Sequence, residues 1–194
     1  MAEMPLQVVI LAAGQGKRMH SNLPKVLHPV AGKALAQHVI DSARSLAPEK
    51  MVVVYGHGGE VVRSTLNSAD IFWAKQEPQL GTGHAVQQAV PVLPDDGMTL
   101  ILSGDVPLTQ VDTLKALIAL SAGQHMTLLT LKMANPTGYG RVVRQVTSGA
   151  SANQNTNSVL AIVEQKDASL EQLAIQEIYS GIMVLPTCLL KQCL

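Results

Sequence analysis

The 194-residue chain carries 14 basic and 14 acidic residues, so its formal net charge is zero. This balance gives no electrostatic footprint for nucleic acid or an anionic membrane surface, and neither is expected as a partner. The length suits one α/β domain over residues 1–194. Apolar residues make up 47% of the sequence and aromatic residues only 3%, so its core is expected to be aliphatic.

The sequence shows no pattern typical of a targeting segment, a membrane span or a disulfide framework. No basic region followed by a long apolar run opens the sequence, so a signal peptide is not expected. No stretch approaches the roughly 18 to 20 apolar residues of a membrane span. The two cysteines, Cys188 and Cys193, have no metal-ligand spacing. Free thiols in a cytoplasmic protein are therefore the expectation.

The first predicted strand, Leu6 to Leu11, is an apolar run rich in Val and Ile, as in buried parallel strands. It leads into Ala12-Ala13-Gly14, where no side chain is larger than a methyl group, and then into Gly16. Small residues let a ligand lie against bare backbone, whose N–H groups can receive an anion. The alternative is a glycine-rich turn that binds nothing.

Lys17, Arg18 and Lys25 follow this loop, and the last two favour a nucleotide with several phosphates as its ligand. Arg18 offers a planar guanidinium that suits phosphate oxygens, and Lys25 offers a point charge. The dinucleotide fingerprint is excluded because Met19 stands where its third glycine would be, and the P-loop spacing is absent.

The remaining pattern alternates between strands and helices. We predict strands over 51–55, 71–75, 99–102, 126–133 and 159–163, and helices over 32–46, 60–66 and 111–120. This order predicts a doubly wound, mostly parallel sheet. Ligands of such sheets bind outside the carboxyl ends of the strands, so the loops that contain Gly14, Gln76 and Asp105 should share one edge.

The second loop of interest runs from Gln76 through Gln79 and Gly81 to Thr82. Glutamine amides donate and accept hydrogen bonds, as the edge of a pyrimidine base requires. Gly81 permits close approach of the backbone, and Thr82 is expected to cap a helix that begins near His84. The alternative is a capped loop-to-helix junction without a ligand. We interpret His84 as structural.

Asp105 follows the predicted strand 99–102 in the sequence Ser103-Gly104-Asp105-Val106-Pro107. A carboxylate at the carboxyl end of a central strand is placed to hold a metal ion. Mg²⁺ prefers one or two carboxylates together with phosphate oxygens. The alternative is an aspartate that only stabilises the turn before Pro107.

These motifs resemble those of the sugar-phosphate nucleotidylyltransferases, which carry Leu-Ala-Ala-Gly-x-Gly-x-Arg-Met followed by Leu-Pro-Lys. The segments 24–28, 76–85, 104–108, 135–141 and 162–168 resemble the uridylyltransferase domain of bacterial N-acetylglucosamine-1-phosphate uridylyltransferases. The resemblance covers essentially the whole sequence. It implies a Rossmann-like nucleotidylyltransferase domain of the glycosyltransferase-A type. It also implies Mg²⁺-dependent uridylyl transfer from UTP to N-acetylglucosamine 1-phosphate, giving pyrophosphate and the UDP-sugar used in cell-wall synthesis.

The resemblance also implies roles for individual residues. Arg18 would stabilise the triphosphate and the leaving pyrophosphate, Lys25 would hold phosphate charge at the reacting centre, and Asp105 would be the Mg²⁺ ligand. Substrate contacts are implied for Leu11, Ala12, Ala13, Gly14, Lys25, Gln76, Gln79, Gly81, Thr82, Ser103, Gly104, Gly140 and Glu164. Within that set Gly140 and Glu164 orient the sugar, although a solvated charged turn is the alternative for Glu164. Arg141 is interpreted as an ordinary surface cation without a catalytic role.

Two departures from the family pattern limit these implications. Tyr179 stands where the family has an asparagine that contacts the sugar, which predicts altered specificity or weaker sugar binding. The sequence ends at Leu194, before the family's second Mg²⁺ ligand and its hexapeptide repeats, which indicates a fragment or a naturally short protein. The family's trimers are built by those repeats, so a monomer is favoured. Other functions left open are a related transferase of different sugar specificity and a non-catalytic nucleotide-binding remnant.

Overall fold

The computed structural model describes residues 4–14, 16, 19–56, 58–66, 68–145 and 158–194. They form two compact units. The first contains the residues up to Thr127 together with Ile182–Leu194, and the second is Leu128–Gly181. No helix within the described ranges combines the length and apolar character that a membrane crossing requires.

The first unit is built on a mostly parallel sheet. Its strands are β1 (Leu6–Ala12), β4 (Lys50–Tyr55), β5 (Ile71–Lys75) and β6 (Met98–Ser103), with a small hairpin of β2 (Pro29–Val30) and β3 (Lys33–Ala34). Strands β5, β4, β1 and β6 lie side by side in that order, all parallel. Residues Met183–Pro186 of β10 (Glu177–Pro186) pair with β6 in the antiparallel direction. The predicted mostly parallel sheet is confirmed.

Helices cover both faces of this sheet. They are α1 (Leu35–Arg44), α2 (Gly59–Thr65), α3 (Thr82–Ala89), α4 (Val111–Ser121) and α6 (Thr187–Cys193). Val86 of α3 and Leu190 of α6 share one core cluster with Ile101 of β6. Its neighbour Leu102 lines a small gap with residues of α1 and α4. Successive strand residues point to opposite faces, so the sheet is doubly wound, as predicted.

Two helix starts differ from the sequence prediction. α1 begins at Leu35 rather than at residue 32, because Gly32 adopts a φ of +78° in the turn between β2 and β3. α3 begins at Thr82 itself, with Gly81 at φ +113° as the residue before the helix. The expectation that Thr82 caps the helix is therefore wrong, since Thr82 is already in the first turn and no side-chain cap is formed.

The second unit is mainly antiparallel. It contains β8 (Arg141–Arg144), β9 (Val159–Val163), the first residues of β10, all but the first residue of β7 (Thr127–Lys132) and the short helix α5 (Leu170–Leu173). β8 pairs with β9 and, through Arg141, with Ile178 of β10. Arg144 donates to the carboxylate of Glu177 through Nε (2.7 Å) and Nη2 (2.6 Å). The predicted strands 126–133 and 159–163 are confirmed.

Candidate active site

Three loops meet at the carboxyl edge of the first unit's parallel strands. The strand register sets Ala12 of β1 beside Tyr55 of β4, and Tyr55 beside Lys75 of β5. Two backbone hydrogen bonds then join the loops: Gly104 N donates to Leu11 O (2.9 Å) and Gln76 N donates to Tyr55 O (2.8 Å). The loops of Gly14, Gln76 and Asp105 therefore share one edge, as predicted.

The glycine loop presents open backbone at this edge. Ala12 and Ala13 are buried, whereas Gly14 is exposed. A Cβ atom built on Gly14 would meet nothing within 4 Å, so the space beside its backbone is available to a ligand. Arg18 lies outside the described residues, and its implied role stays a prediction.

Lys25 and Asp105 are 80 residues apart in sequence and form an ion pair. Lys25 begins a short 3₁₀ turn, Lys25–Leu27, which is anchored by the buried Val26 and Leu27. Asp105 follows the end of β6. Their Nζ and Oδ2 atoms lie 2.5 Å apart, and the two side chains are 40% and 30% exposed. The predicted cation and the predicted metal ligand thus share one partly exposed position at the edge.

Glycines seat the turn that carries Lys25. A Cβ atom on Gly58 would crowd Pro24 Cγ (3.0 Å), and one on Gly16 would crowd Lys25 Cβ (2.7 Å). A Cβ atom on Gly104 would stand in ordinary contact with Val26 Cγ1 (3.4 Å). The first two glycines also have positive φ, +65° and +60°. The backbone at Lys25 is therefore positioned by close contacts that only residues without side chains allow.

Gln76 holds its own loop together. It is only 4% exposed, and its Nε2 donates to Gly81 O at 2.9 Å and lies 3.2 Å from His84 Nδ1. Gln88 Nε2 lies 3.2 Å from the other ring nitrogen of His84. His84 is thus part of a hydrogen-bonded loop anchor, in keeping with its structural interpretation.

Gln79 extends across the end of β4 towards the glycine loop. A Cβ atom on Gly56 would overlap Gln79 Nε2 and would stand 3.0 Å from Ala13 O. A cleft of about 520 Å³ borders this contact and is lined in part by Gly56, Gln76 and Gln79.

At the start of α3, the N–H groups of the first turn have no intrahelical acceptor. Gly81 and Thr82 therefore lie where backbone hydrogen-bond donors are available.

The residues implied in sugar contact lie in the second unit. A Cβ atom on Gly140 would stand 3.5 Å from Glu164 Oε1 and 3.1 Å from Ile162 Cγ2, so Gly140 and Glu164 are adjacent. Tyr179 N donates to Gly140 O (3.1 Å). Burial raises the pKa of the Tyr179 phenol above its usual range.

Arg141 differs from the sequence interpretation. It is not a surface cation, because it is only 2% exposed. Its strand β8 runs between β9 and β10, where Arg141 pairs with Val163 and Ile178.

Asp105 is a residue of the first unit that could hold a divalent metal ion. Across the described ranges, no group of three or more histidine, cysteine or acidic side chains could form a protein-only metal site. Mg²⁺ is commonly held by one or two carboxylates plus substrate phosphates, and Asp105 is a partly exposed carboxylate beside a loop suited to phosphate.

Sequence reasoning missed Gly56 and Gly58 as site residues. Their signal was the run Gly56-His57-Gly58-Gly59 directly after a buried strand. A glycine cluster at a strand end often marks close backbone approach.

Comparison with known proteins identifies the family. A family model described as the MobA-like NTP transferase domain matches residues 8–170. The chain belongs to this family. It is 61% identical over 183 residues to the "Bifunctional protein GlmU" of Dechloromonas aromatica, covering 94% of this chain and 38% of that protein. The protein of the same name from Polaromonas naphthalenivorans is 57% identical over 199 residues, covering 99% of this chain and 41% of that one.

These NTP transferase relatives are longer proteins, since the chain spans about two fifths of their length. Among solved structures, a UDP-glucose pyrophosphorylase complexed with UDP-glucose superposes with a TM-score of 0.73 at 17% identity, covering 97% of this chain and 78% of that chain. A putative glucose-1-phosphate thymidylyltransferase from Bacillus anthracis gives 0.73 at 16% identity, covering 96% of this chain and 73% of that chain. These likenesses show the nucleotidyltransferase fold.

Proposed function

We propose that this NTP transferase domain transfers the uridylyl group of UTP to N-acetylglucosamine 1-phosphate, releasing pyrophosphate. The observation that carries the proposal is the Lys25–Asp105 ion pair at the strand edge, beside the open backbone of Gly14. The motif resemblance to N-acetylglucosamine-1-phosphate uridylyltransferases and the identity to the GlmU proteins support the choice of substrates. We propose the cytoplasm as the place of the reaction, because its reducing conditions keep thiols such as those of Cys188 and Cys193 free.

The chemistry requires positioning and charge neutralisation more than a covalent intermediate. A phosphate oxygen of the sugar phosphate attacks the α-phosphorus of UTP, and the bond to the β-phosphate oxygen breaks as pyrophosphate leaves. Negative charge grows on the phosphoryl oxygens during this exchange. Fixed positive groups that face those oxygens stabilise the transition state.

Lys25 supplies such a charge. Its ammonium pairs with the carboxylate of Asp105, which holds both groups at the edge. On binding, the ammonium turns to the phosphate oxygens, and the glycine contacts along Pro24–Val26 keep its backbone fixed during the exchange. Arg18 is assigned to the β- and γ-phosphates by resemblance.

Asp105 is the proposed Mg²⁺ ligand. Bound there, Mg²⁺ would neutralise phosphate charge and act as a Lewis acid on the phosphoryl oxygens. With Mg²⁺ held there, the carboxylate of Asp105 would have a positive partner, as it has in the ion pair with Lys25.

Uridine is assigned to the edge between the glycine loop and the Gln76 loop. The backbone of Leu11, Ala12, Ala13 and Gly14 forms one wall, and Gln79, Gly81 and Thr82 offer polar groups to the base. The buried side chain of Gln76 donates a hydrogen bond to Gly81 O and so fixes the conformation of the Gln76 loop. Ser103 and Gly104, at the end of β6, are assigned to the ribose side.

The sugar is assigned to Gly140 and Glu164. A carboxylate accepts hydrogen bonds from sugar hydroxyls, and the adjacent glycine leaves room for the ring. Tyr179 contributes its backbone N–H to Gly140 O, so the residue that replaces the family's asparagine is tied to this turn.

The test is product formation by the chain as given. UTP, Mg²⁺ and N-acetylglucosamine 1-phosphate are supplied, and UDP-sugar and pyrophosphate are measured together. Equal amounts of both products are expected, with lower rates for CTP, ATP and glucose 1-phosphate. No turnover together with retained UDP-sugar binding would indicate a nucleotide-binding domain instead. A folded chain that does neither refutes the assignment.

A further inference from the structure

Arg141 is a buried cation in the second unit that is held by neutral groups. Its Nη1 donates to Tyr139 O, and its Nη2 donates to Gln165 Oε1 at 3.4 Å. Among the residues that the structure describes, no acidic side chain forms an ion pair with Arg141. Burial of a charge without an ionic partner is unfavourable, so a stabilising role alone does not explain this arginine.

The amide of Gln165 bridges two turns. Its Oε1 accepts a hydrogen bond from Gly138 N as well as from Arg141. Gln165 opens the 3₁₀ helix Gln165–Asp167, directly after Glu164. Gly138 and Tyr139 belong to the turn that leads into β8. One side-chain oxygen and one guanidinium therefore tie the turn at 138–140 to the turn at 164–165.

Each of these two turns carries one half of the proposed sugar subsite. Gly140 lies on the first turn and Glu164 on the second, and the Gly140 Cβ position is 3.5 Å from Glu164 Oε1. Glu164 is exposed, and no hydrogen bond of its carboxylate fixes it within the described residues. The separation of the two turns therefore determines how the carboxylate meets a ligand that also lies against Gly140.

We propose that Arg141 and Gln165 are positioning residues for the sugar subsite, acting through the turn-to-turn bridge. This inference rests on the proposed function and deepens it. The bridge is made by residues of the second unit, whereas the proposed nucleotide edge belongs to the first. Its loss should weaken recognition of the sugar phosphate and leave recognition of UTP unchanged.

The test uses Gln165→Leu, which removes the bridging oxygen while keeping a side chain of similar size. Loss of a hydrogen bond to a charged group predicts a KM for N-acetylglucosamine 1-phosphate raised about tenfold, with the KM for UTP within about twofold of wild type. Gln176→Leu is the matched control, because Gln176 is exposed in the same unit and its side chain has no described partner. Gln165→Glu keeps an acceptor oxygen and should restore the KM to within about threefold of wild type.

The outcomes distinguish the positioning role of Arg141 and Gln165 from the proposed function. Calorimetry on the same four proteins should show weaker UDP-N-acetylglucosamine binding in Gln165→Leu than in the other three, and UTP affinities within about twofold of wild type in all of them. A sugar KM and affinity in Gln165→Leu that match Gln176→Leu, an equal loss for UTP, or no rescue by Gln165→Glu overturns the positioning role alone. A folded wild-type chain that neither turns over nor binds the sugar nucleotide refutes the proposed function, and the inference with it.

Discussion

Replacement of Gly16 by alanine tests whether the glycine loop positions Lys25. Gly16 has a φ of +60°, and an added Cβ would lie 2.7 Å from Lys25 Cβ. Both atoms are anchored to backbone, so neither can move away by a simple change of rotamer. The backbone at Gly16 or the turn that carries Lys25 must therefore shift, and either shift changes how Lys25 is held beside Asp105.

Gly32→Ala provides a matched control. Gly32 has a similar φ of +78°, but an added Cβ would meet nothing within 4 Å. The left-handed conformation costs an L-residue about 1 to 2 kcal/mol, so both variants should lose about that much free energy of unfolding from strain. Only Gly16→Ala carries the additional cost of the contact with Lys25.

The consequences for turnover should therefore differ sharply. Displacement of a catalytic group by about 1 Å can lower a rate about 100-fold, so kcat of Gly16→Ala should fall by that order. Gly32→Ala should retain kcat within about twofold, because its turn lies between β2 and β3 and the added Cβ meets nothing within 4 Å. Urea unfolding and steady-state pyrophosphate release measure both quantities. Equal kcat values in the two variants would refute the positioning of Lys25 by Gly16.

Three other predictions concern single residues. In Gly14→Ala the added Cβ meets open space, so the free energy of unfolding should match that of wild type. The same Cβ would obstruct a ligand that lies against this backbone, so the KM for UTP should rise about tenfold. An unchanged KM would show that no ligand lies there. Gly56→Ala should displace Gln79 and weaken UTP affinity more than sugar-phosphate affinity, and calorimetry that finds both equally affected would contradict the assignment of the base. The Arg144 guanidinium lowers the pKa of Glu177 to about 2, against about 4.3 in an unfolded chain. The ion pair therefore stabilises the fold above about pH 4.3 and is lost as pH falls towards 2, so the deficit of Glu177→Gln in urea should shrink over that range; a deficit independent of pH would contradict this.

The strands of the first unit were predictable because a strand buried on both faces has a continuous run of apolar residues in its sequence. Val8, Val9 and Ile10 are fully buried in β1, and Val52 and Val53 are fully buried in β4. Helix starts were less predictable, since they depend on single dihedral angles. Two helix starts differ from the prediction because Gly32 and Gly81 adopt positive φ values, and hydrophobic periodicity does not indicate such turns.

The meeting of three loops at the candidate site was predictable, and the contacts within it were less so. Strand topology was enough to bring Gly14, Gln76 and Asp105 to one edge. The glycine contacts along the turn at Lys25 join residues far apart in the chain, so local pattern could not reveal them. Arg141 was misjudged because charged residues are mostly exposed, and only the strands on either side of β8 show that it is buried.

Turnover of Asp105→Asn, measured at saturating UTP and Mg²⁺, tests most directly whether the Lys25–Asp105 edge is the reaction centre. The amide keeps the size of the side chain but loses the charge that would hold Mg²⁺. Asp112→Asn, at an exposed position in the first turn of α4, controls for the loss of one charge. The prediction is a fall in kcat of at least about 100-fold for Asp105→Asn and a change of less than about twofold for Asp112→Asn. Equal activity in the two variants would place the reaction centre elsewhere.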